Sequence, residues 1–215
     1  MTGAAAEGRA VVIGVGNEFR RDDGAGPAVV ARLRGHLPDD VCLLVSDGEP
    51  TRLIEAWAGA PVAVIVDAVR AEPTVPGRQH RLVLHRAGAA VAPPASSHGL
   101  GLDCAVGLAH ALDRMPGMLI LHAVEVADVG QGTGLTPAVA ATIDTLAAAV
   151  RQDLDSLRRH SVCRALGQEP GPAASGRTSR HLRHLRPYQH NPRVAAMRSG
   201  ISRSGALGDH EEADK

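Results

Sequence analysis

Apolar residues along the first 160 positions fall into two alternating kinds of pattern. Short runs rich in β-branched residues predict strands, at 10–15, 41–45, 62–66, 81–84 and 119–126. Stretches with apolar positions at three- and four-residue steps predict helices, at 26–37, 51–58, 100–112 and 136 to about 160. Nearly all-apolar strands that alternate with helices predict an α/β fold, in which a mostly parallel, twisted sheet lies between helices on both faces as a three-layer sandwich.

The pattern divides the chain into three parts. Residues 1–9 carry no periodic signal and are predicted to form a flexible N-terminus, and residues 10–160 are predicted to form one domain. From 161 to 215 the sequence is dominated by Gly, Pro, Ser, Arg and His, a composition typical of a disordered tail.

Charge and residue usage exclude several classes of function. The formal net charge is +0, so no overall field attracts nucleic acid or an acidic membrane. Lys215 is the only lysine, which excludes a Walker loop, a Schiff base and a Ser-Lys dyad within the fold. The three cysteines form no C-x-x-C pair, and no stretch approaches the roughly 20 apolar residues of a membrane span. We expect a cytoplasmic protein.

Polar groups follow the first three predicted strands at the point where each strand ends. Gly16-Asn17 follows the first strand, Asp47 the second, and Asp67 ends the third. The carboxyl ends of parallel strands share one edge of the sheet, which is where ligands bind in α/β proteins. A functional site is therefore expected at this edge.

A glycine-rich loop joins the first strand to the first helix. Gly14, Gly16 and Gly24 permit a tight turn and a close approach of backbone segments. A dinucleotide site would use similar glycines, but Phe19 stands where its third glycine would be. A nucleotide-binding oxidoreductase is thus a weak alternative.

Two aspartates and a histidine are the candidate ligands of a metal ion. One aspartate of the Asp22-Asp23 pair would suffice to cap the following helix, so two acids next to the edge where Asp67 emerges suggest a shared cation or proton. Asp67 ends an apolar run, where an unpaired carboxylate is costly, so it either caps a turn or serves a site. His98 by itself is an ordinary loop residue, but Asp23, Asp67 and His98 together suit a borderline transition metal with open positions.

Several separate motifs, in their order and spacing, resemble those of the hydrogenase maturation endopeptidases. They are G-V-G-N-x-F-x-x-D-D-G-x-G, D-G after the second strand, V-D-A after the third, S-S-H-G-L-G-L, and G-L-T-P at the start of the last helix. The resemblance covers about residues 10–155. It implies the family's phosphorylase/hydrolase-like sheet between helices.

The resemblance also implies an activity and a set of site residues. Members of the family remove a C-terminal extension from the large subunit of a [NiFe]-hydrogenase after nickel insertion. Asp23, Asp67 and His98 fall on the metal-contacting positions, Gly16 and Asn17 would shape the loop that presents Asp23, and Asp47 matches another acid of the cleft. The metal implied is the nickel of the substrate, with another divalent ion such as zinc possible in the free enzyme.

The nucleophile is open, because the chain contains no G-x-S-x-G elbow and no H-E-x-x-H helix. Water is the remaining candidate, with Asp23 or Asp47 as general base. A second hypothesis is a non-catalytic, nickel-dependent checkpoint that binds the precursor without cutting it. The expected partner in both cases is the large-subunit precursor, and the protein is expected to be a monomer.

Overall fold

The computed structural model describes residues 8–85 and 101–165, and the elements within these ranges alternate as an α/β protein. The strands are β1 (Ala10–Val15), β2 (Val41–Ser46), β3 (Val62–Val69), β4 (Gln79–His85) and β5 (Met118–Glu125). The helices are α1 (Ala25–Leu33), α2 (Pro50–Trp57), α3 (Gly101–Ala111), α4 (Pro137–Ala140) and α5 (Ile143–Ala165), with a 3-10 helix at Arg21–Gly24.

The strands form one five-stranded sheet in the order β2-β1-β3-β5-β4. All neighbours are parallel except β4, which pairs antiparallel with β5 at the edge of the sheet. The mostly parallel sheet expected from the apolar runs is confirmed. The antiparallel direction of β4 was not predicted, because a short run carries no information on strand direction.

Each face of the sheet is covered by its own apolar core. On one face Ile13, Ile65 and Leu121 pack with residues of α2 and α3. On the other face Val12, Val64 and Ile120 pack with residues of α1 and α5. Alternate residues of each strand therefore enter opposite cores, which confirms helices on both faces and explains why the strands are apolar throughout.

Several element boundaries differ from those expected. The first helix ends at Leu33 instead of residue 37, because Arg34 is extended (ψ 131°) and Gly35 adopts a positive φ of 72°. The last helical stretch is divided at Ala141–Thr142 into α4 and α5, although Val139, Leu146 and Val150 still form one buried stripe.

Helix α5 and strand β3 extend beyond their expected ends. Helix α5 continues to Ala165, and β3 continues through Asp67 to Val69. The chain divides into two units, Met1–Thr178 and Ser179–Lys215, and the second unit lies outside the described residues. The tail predicted at 161–215 overlaps the end of α5 at 161–165, and the rest of it lies outside the described residues. Within the described ranges, no helix has both the length and the apolar character needed to cross a bilayer.

Candidate active site at the carboxyl edge of the sheet

Helix α1 begins in direct backbone contact with the two central strands. A Cβ atom added at Gly26 would lie 2.3 Å from the carbonyl oxygen of Val15 and 2.6 Å from that of Val66. A Cβ at Gly14 would lie 2.4 Å from the carbonyl oxygen of Gly26. Only glycine allows this approach, which brings the 3-10 helix before α1 against the carboxyl edge next to β3.

The loop between β1 and the 3-10 helix closes around Asp23. Gly16 has a φ of 135°, and a Cβ there would lie 1.9 Å from the carbonyl oxygen of Asp23. The backbone N–H of Asn17 donates to Oδ2 of Asp23 at 3.1 Å, and a Cβ at Gly24 would approach Cα of Glu18 to 3.1 Å. The residues expected to shape the loop thus lie at its tightest contacts.

Asp22 joins two loops and is a structural residue. Its carboxylate accepts hydrogen bonds from the backbone N–H of Thr136 at 2.6 Å, from the Thr136 hydroxyl at 3.0 Å and from the N–H of Asp128 at 3.3 Å. Thr136 is the N-cap residue of α4. Asp22 is thus buried among donors from the β5–α4 loop, and the N-cap residue of α1 is Gly24, not one of the two acids.

Asp23 and Asp67 are both buried at the carboxyl edge, at 1% and 0% exposure. Asp67 lies within β3, on the α2/α3 face between Ile65 and Val69, and its Oδ1 accepts the N–H of Ala68 at 2.8 Å. The sequence pattern placed Asp67 just beyond its strand. It instead belongs to the strand, because β5 continues pairing with β3 as far as Val69.

Asp47 lies at the same edge but in a different environment. It follows β2, is exposed, and forms an ion pair with Arg52 at 2.9 Å. Its Oδ1 also accepts the N–H of Glu49, whose own side chain caps α2 through the N–H groups of Thr51 and Arg52. The described contacts of Asp47 thus organise the start of α2.

His98, the third expected ligand, lies outside the described residues. Within the described ranges, no group of three or more His, Cys, Asp or Glu side chains has an arrangement that could hold a metal ion. The nearest described element along the chain is α3, which begins at Gly101.

Glu125 is a buried acid that the sequence interpretation missed. At 1% exposure, it accepts the N–H of Val75 at 2.5 Å and a contact from Nε2 of His80 at 2.8 Å, with Arg78 at 3.5 Å. Burial acts to raise the pKa of Glu125, but these hydrogen bonds and the Arg78 charge outweigh it and the pKa is lowered. Like Asp67, Glu125 is a charged residue in an apolar strand, and that signal could have identified it.

The opposite face of the sheet carries a second buried polar group. His122 of β5 contacts the carboxylate of Asp153 at 2.8 Å, and Arg81 makes two hydrogen bonds to the same carboxylate at 2.8 and 2.9 Å. Burial acts to raise the pKa of Asp153, but the bonds from His122 and Arg81 lower it below its ordinary value. This group joins α5 to the edge strand β4.

A mostly parallel sheet with buried acids and loops at its carboxyl edge is typical of α/β enzymes whose sites lie beyond the strand ends. The chain belongs to the hydrogenase maturation protease family. The sequence profile of that family, HycI, matches residues 27–153, which is more than half of the chain. The match begins just after Asp23, so it includes Asp47, Asp67 and His98 but not the glycine loop.

Solved structures of related enzymes share the fold. The hydrogenase maturating endopeptidase HybD from Escherichia coli is 26% identical, with a TM-score of 0.57 over 70% of this chain and 93% of that one. A second endopeptidase structure from the same organism is 25% identical (TM-score 0.57, covering 75% and 95%), and a hydrogenase 2 maturation peptidase from a Thaumarchaeota archaeon is 25% identical (TM-score 0.52, covering 68% and 97%). No curated protein matches the chain in sequence. The fold, the family and the peptidase class expected from the sequence are thereby confirmed.

Proposed function

We propose that this protein removes the C-terminal extension of a [NiFe]-hydrogenase large subunit after nickel insertion, and that Asp23, Asp67 and His98 contact the nickel of that precursor. The burial of two carboxylates, Asp23 and Asp67, at the carboxyl edge of the sheet carries the proposal. Both acids lie at the edge where ligands bind in α/β proteins, and the 3-10 helix that presents Asp23 packs against the strand that contains Asp67.

The position of α3 supports His98 as the third group. Helix α3 packs against α2 on the sheet face to which Asp67 belongs. It ends at Ala111, shortly before β5 begins at the amino edge, so its first residue, Gly101, lies toward the carboxyl edge. His98 precedes Gly101 by three positions, which is within reach of the same edge.

Two carboxylates and one imidazole suit a borderline ion such as nickel or zinc and leave positions open for further ligands. A site of this kind can grip a nickel ion that the cysteines of the substrate already hold. Cleavage would then depend on completed metal insertion, because only the loaded precursor supplies the ion that the three side chains bind. In the free enzyme the same residues could hold another divalent ion.

We assign the attack on the peptide bond to water. A divalent ion next to the scissile carbonyl would polarise it and increase the acidity of a neighbouring water. Asp23 is the better supported general base, since it is buried in the 3-10 helix that packs against β3, whereas Asp47 is exposed and paired with Arg52. Asp47 stays the second candidate.

The test is cleavage of a nickel-loaded precursor by purified enzyme, followed by mass spectrometry. We expect Asp23→Asn, Asp67→Asn and His98→Gln each to slow cleavage by at least about a hundred-fold. Asp144→Asn is the matched control, because Asp144 is an exposed acid of α5 that pairs with Arg32. Wild-type rates in all three site variants would remove this site from the mechanism.

The same measurement separates the two remaining hypotheses. A nickel-dependent checkpoint would bind the loaded precursor and leave its mass unchanged, whereas a peptidase shortens it. The nucleotide-binding oxidoreductase has lost its support, because the family is one of proteases. The monomeric state and the cytoplasmic location stay predictions.

A further inference from the structure

An open groove lies beside the Asp23 loop. It has a volume of about 660 Å³ and is lined by Asn17, Phe19, Arg20, Val129, Gly130 and Gln131. Asn17 connects it to the candidate site, because the N–H of this residue donates to the Asp23 carboxylate. The groove therefore adjoins the loop that presents Asp23.

The groove presents one large apolar side chain and one unmatched positive charge. Phe19, the only phenylalanine of the chain, is 64% exposed. Arg20 is exposed and forms no ion pair with any residue of the described ranges. No acid is among the lining residues. This chemistry is complementary to an apolar side chain next to a carboxylate.

The backbone under these two side chains is fixed on both sides. The N–H of Phe19 donates to Oδ1 of Asn17 at 2.9 Å. The carbonyl oxygen of Phe19 accepts the N–H of Gly132 at 2.9 Å. The N–H of Arg21 donates to the carbonyl oxygen of Gly132 at 2.8 Å, and Asp22 binds the same β5–α4 loop. Hydrogen bonds between the two loops thus hold Phe19 in an exposed position. Because this position is fixed before a partner binds, the entropy cost of binding there is lower.

We propose that this groove binds an extended peptide segment of the large-subunit precursor, with an apolar side chain of that segment on Phe19 and a carboxylate at Arg20. The inference rests on the proposed function, since it takes the precursor as the substrate. The carboxylate belongs either to an acidic side chain near the cleavage position or to the C-terminus of the precursor. Phe19 and Arg20 are then binding residues that set specificity and take no part in the chemical step.

The test is a steady-state cleavage assay on the nickel-loaded precursor. We expect Phe19→Ala and Arg20→Glu each to lower kcat/KM by about ten-fold through KM, with kcat nearly unchanged. The Arg20→Glu loss should shrink as salt is raised, since a rim charge is screened, whereas the Phe19→Ala loss should not. Leu112→Ala and Arg34→Glu are matched controls, because both residues are exposed and follow helices that end at the amino edge.

Two altered precursors distinguish the sources of the carboxylate. In one, the acidic side chains around the cleavage position are changed to amides; in the other, four Gly/Ser residues are added to move the C-terminus. One of the two precursors should raise KM for the wild-type enzyme, and with that precursor Arg20→Glu should cause no further rise in KM. The group altered in that precursor is the carboxylate that pairs with Arg20, by the reasoning of a double-mutant cycle. If neither precursor does so, the charge pairing is refuted.

The two proposals fail in different ways. Wild-type KM values for both Phe19→Ala and Arg20→Glu, with cleavage intact, would overturn the groove and leave the proposed function standing. A wild-type enzyme that binds the loaded precursor without shortening it would refute the proposed function and, with it, the role of the groove in cleavage.

Discussion

Replacing Gly26 by alanine tests the close packing that positions the candidate site. The added methyl group would lie 2.3 Å from one backbone carbonyl oxygen and 2.6 Å from another, on two different strands. Neither oxygen can rotate away, because Val15 and Val66 both belong to strands that are paired within the sheet. Overpacking a rigid core costs about 3 kcal/mol, and the helix preference of alanine over glycine returns about 1 kcal/mol. The net expectation is a loss of about 2 kcal/mol in the free energy of unfolding.

Gly107→Ala is the matched control for this substitution. Gly107 is also a helical glycine, but a Cβ there meets no atom within 4 Å. Alanine at this position should stabilise the protein by roughly 0.5–1 kcal/mol through helix preference alone. The two substitutions therefore have opposite expected signs although the chemical change is identical.

Urea unfolding measures both variants, with fluorescence of the fully buried Trp57, the only tryptophan, as the probe. A denaturant dependence of about 2 kcal/mol per molar converts the expected loss at Gly26 into a midpoint lower by about 1 M. The midpoint for Gly107→Ala should rise. A stabilised Gly26→Ala protein would show that α1 does not touch the strands, and the placement of the Asp23 loop would then be wrong.

Two further predictions concern acids outside the proposed site, the half-buried Asp153 and the buried Glu125. Because the pKa of Asp153 is lowered, the stability it contributes is fully present above its ordinary value of 3.8 and is lost as the pH falls from there through the lower pKa of the folded protein. Asp153→Asn should therefore lower the free energy of unfolding by about 2 kcal/mol at pH 7 and by progressively less below pH ~4. The measurement is the free energy of unfolding against pH, with Asp144→Asn as control. A difference between Asp153→Asn and wild type that widens on acidification would contradict this. Glu125→Ala should speed hydrogen exchange at the Val75 amide by at least about ten-fold, since that N–H loses its acceptor, and an unchanged exchange rate would refute the anchoring of this segment.

Local sequence patterns were sufficient to predict a sheet that lies between two layers of helices. The runs at β1, β3 and β5 are apolar on both faces because each face is covered by helices, and this shows directly in the sequence. The buried stripe of α5 is visible for the same reason: helical spacing and apolar character are properties of neighbouring residues. The order of several short motifs was sufficient to identify the protein family.

The roles of individual acids required the tertiary structure. Asp22 and Asp23 are adjacent and chemically identical, yet Asp22 binds Thr136, more than a hundred positions away, while Asp23 accepts the N–H of Asn17 in its own loop. Glu125 and its partner His80 lie on different strands, whose antiparallel pairing no local pattern specified. Hydrogen-bond partners come from segments that only folding brings together.

The sequence by itself determined that this chain forms a helix-covered parallel sheet and carries the motifs of a maturation protease, because periodicity and motif spacing are written along the chain. Only the tertiary structure decided that Gly26 must lack a side chain, that Asp67 lies within β3, and that Phe19 stands exposed beside Asp23. These features depend on distances between non-adjacent backbones, which are set by packing of the whole domain and not by any local preference.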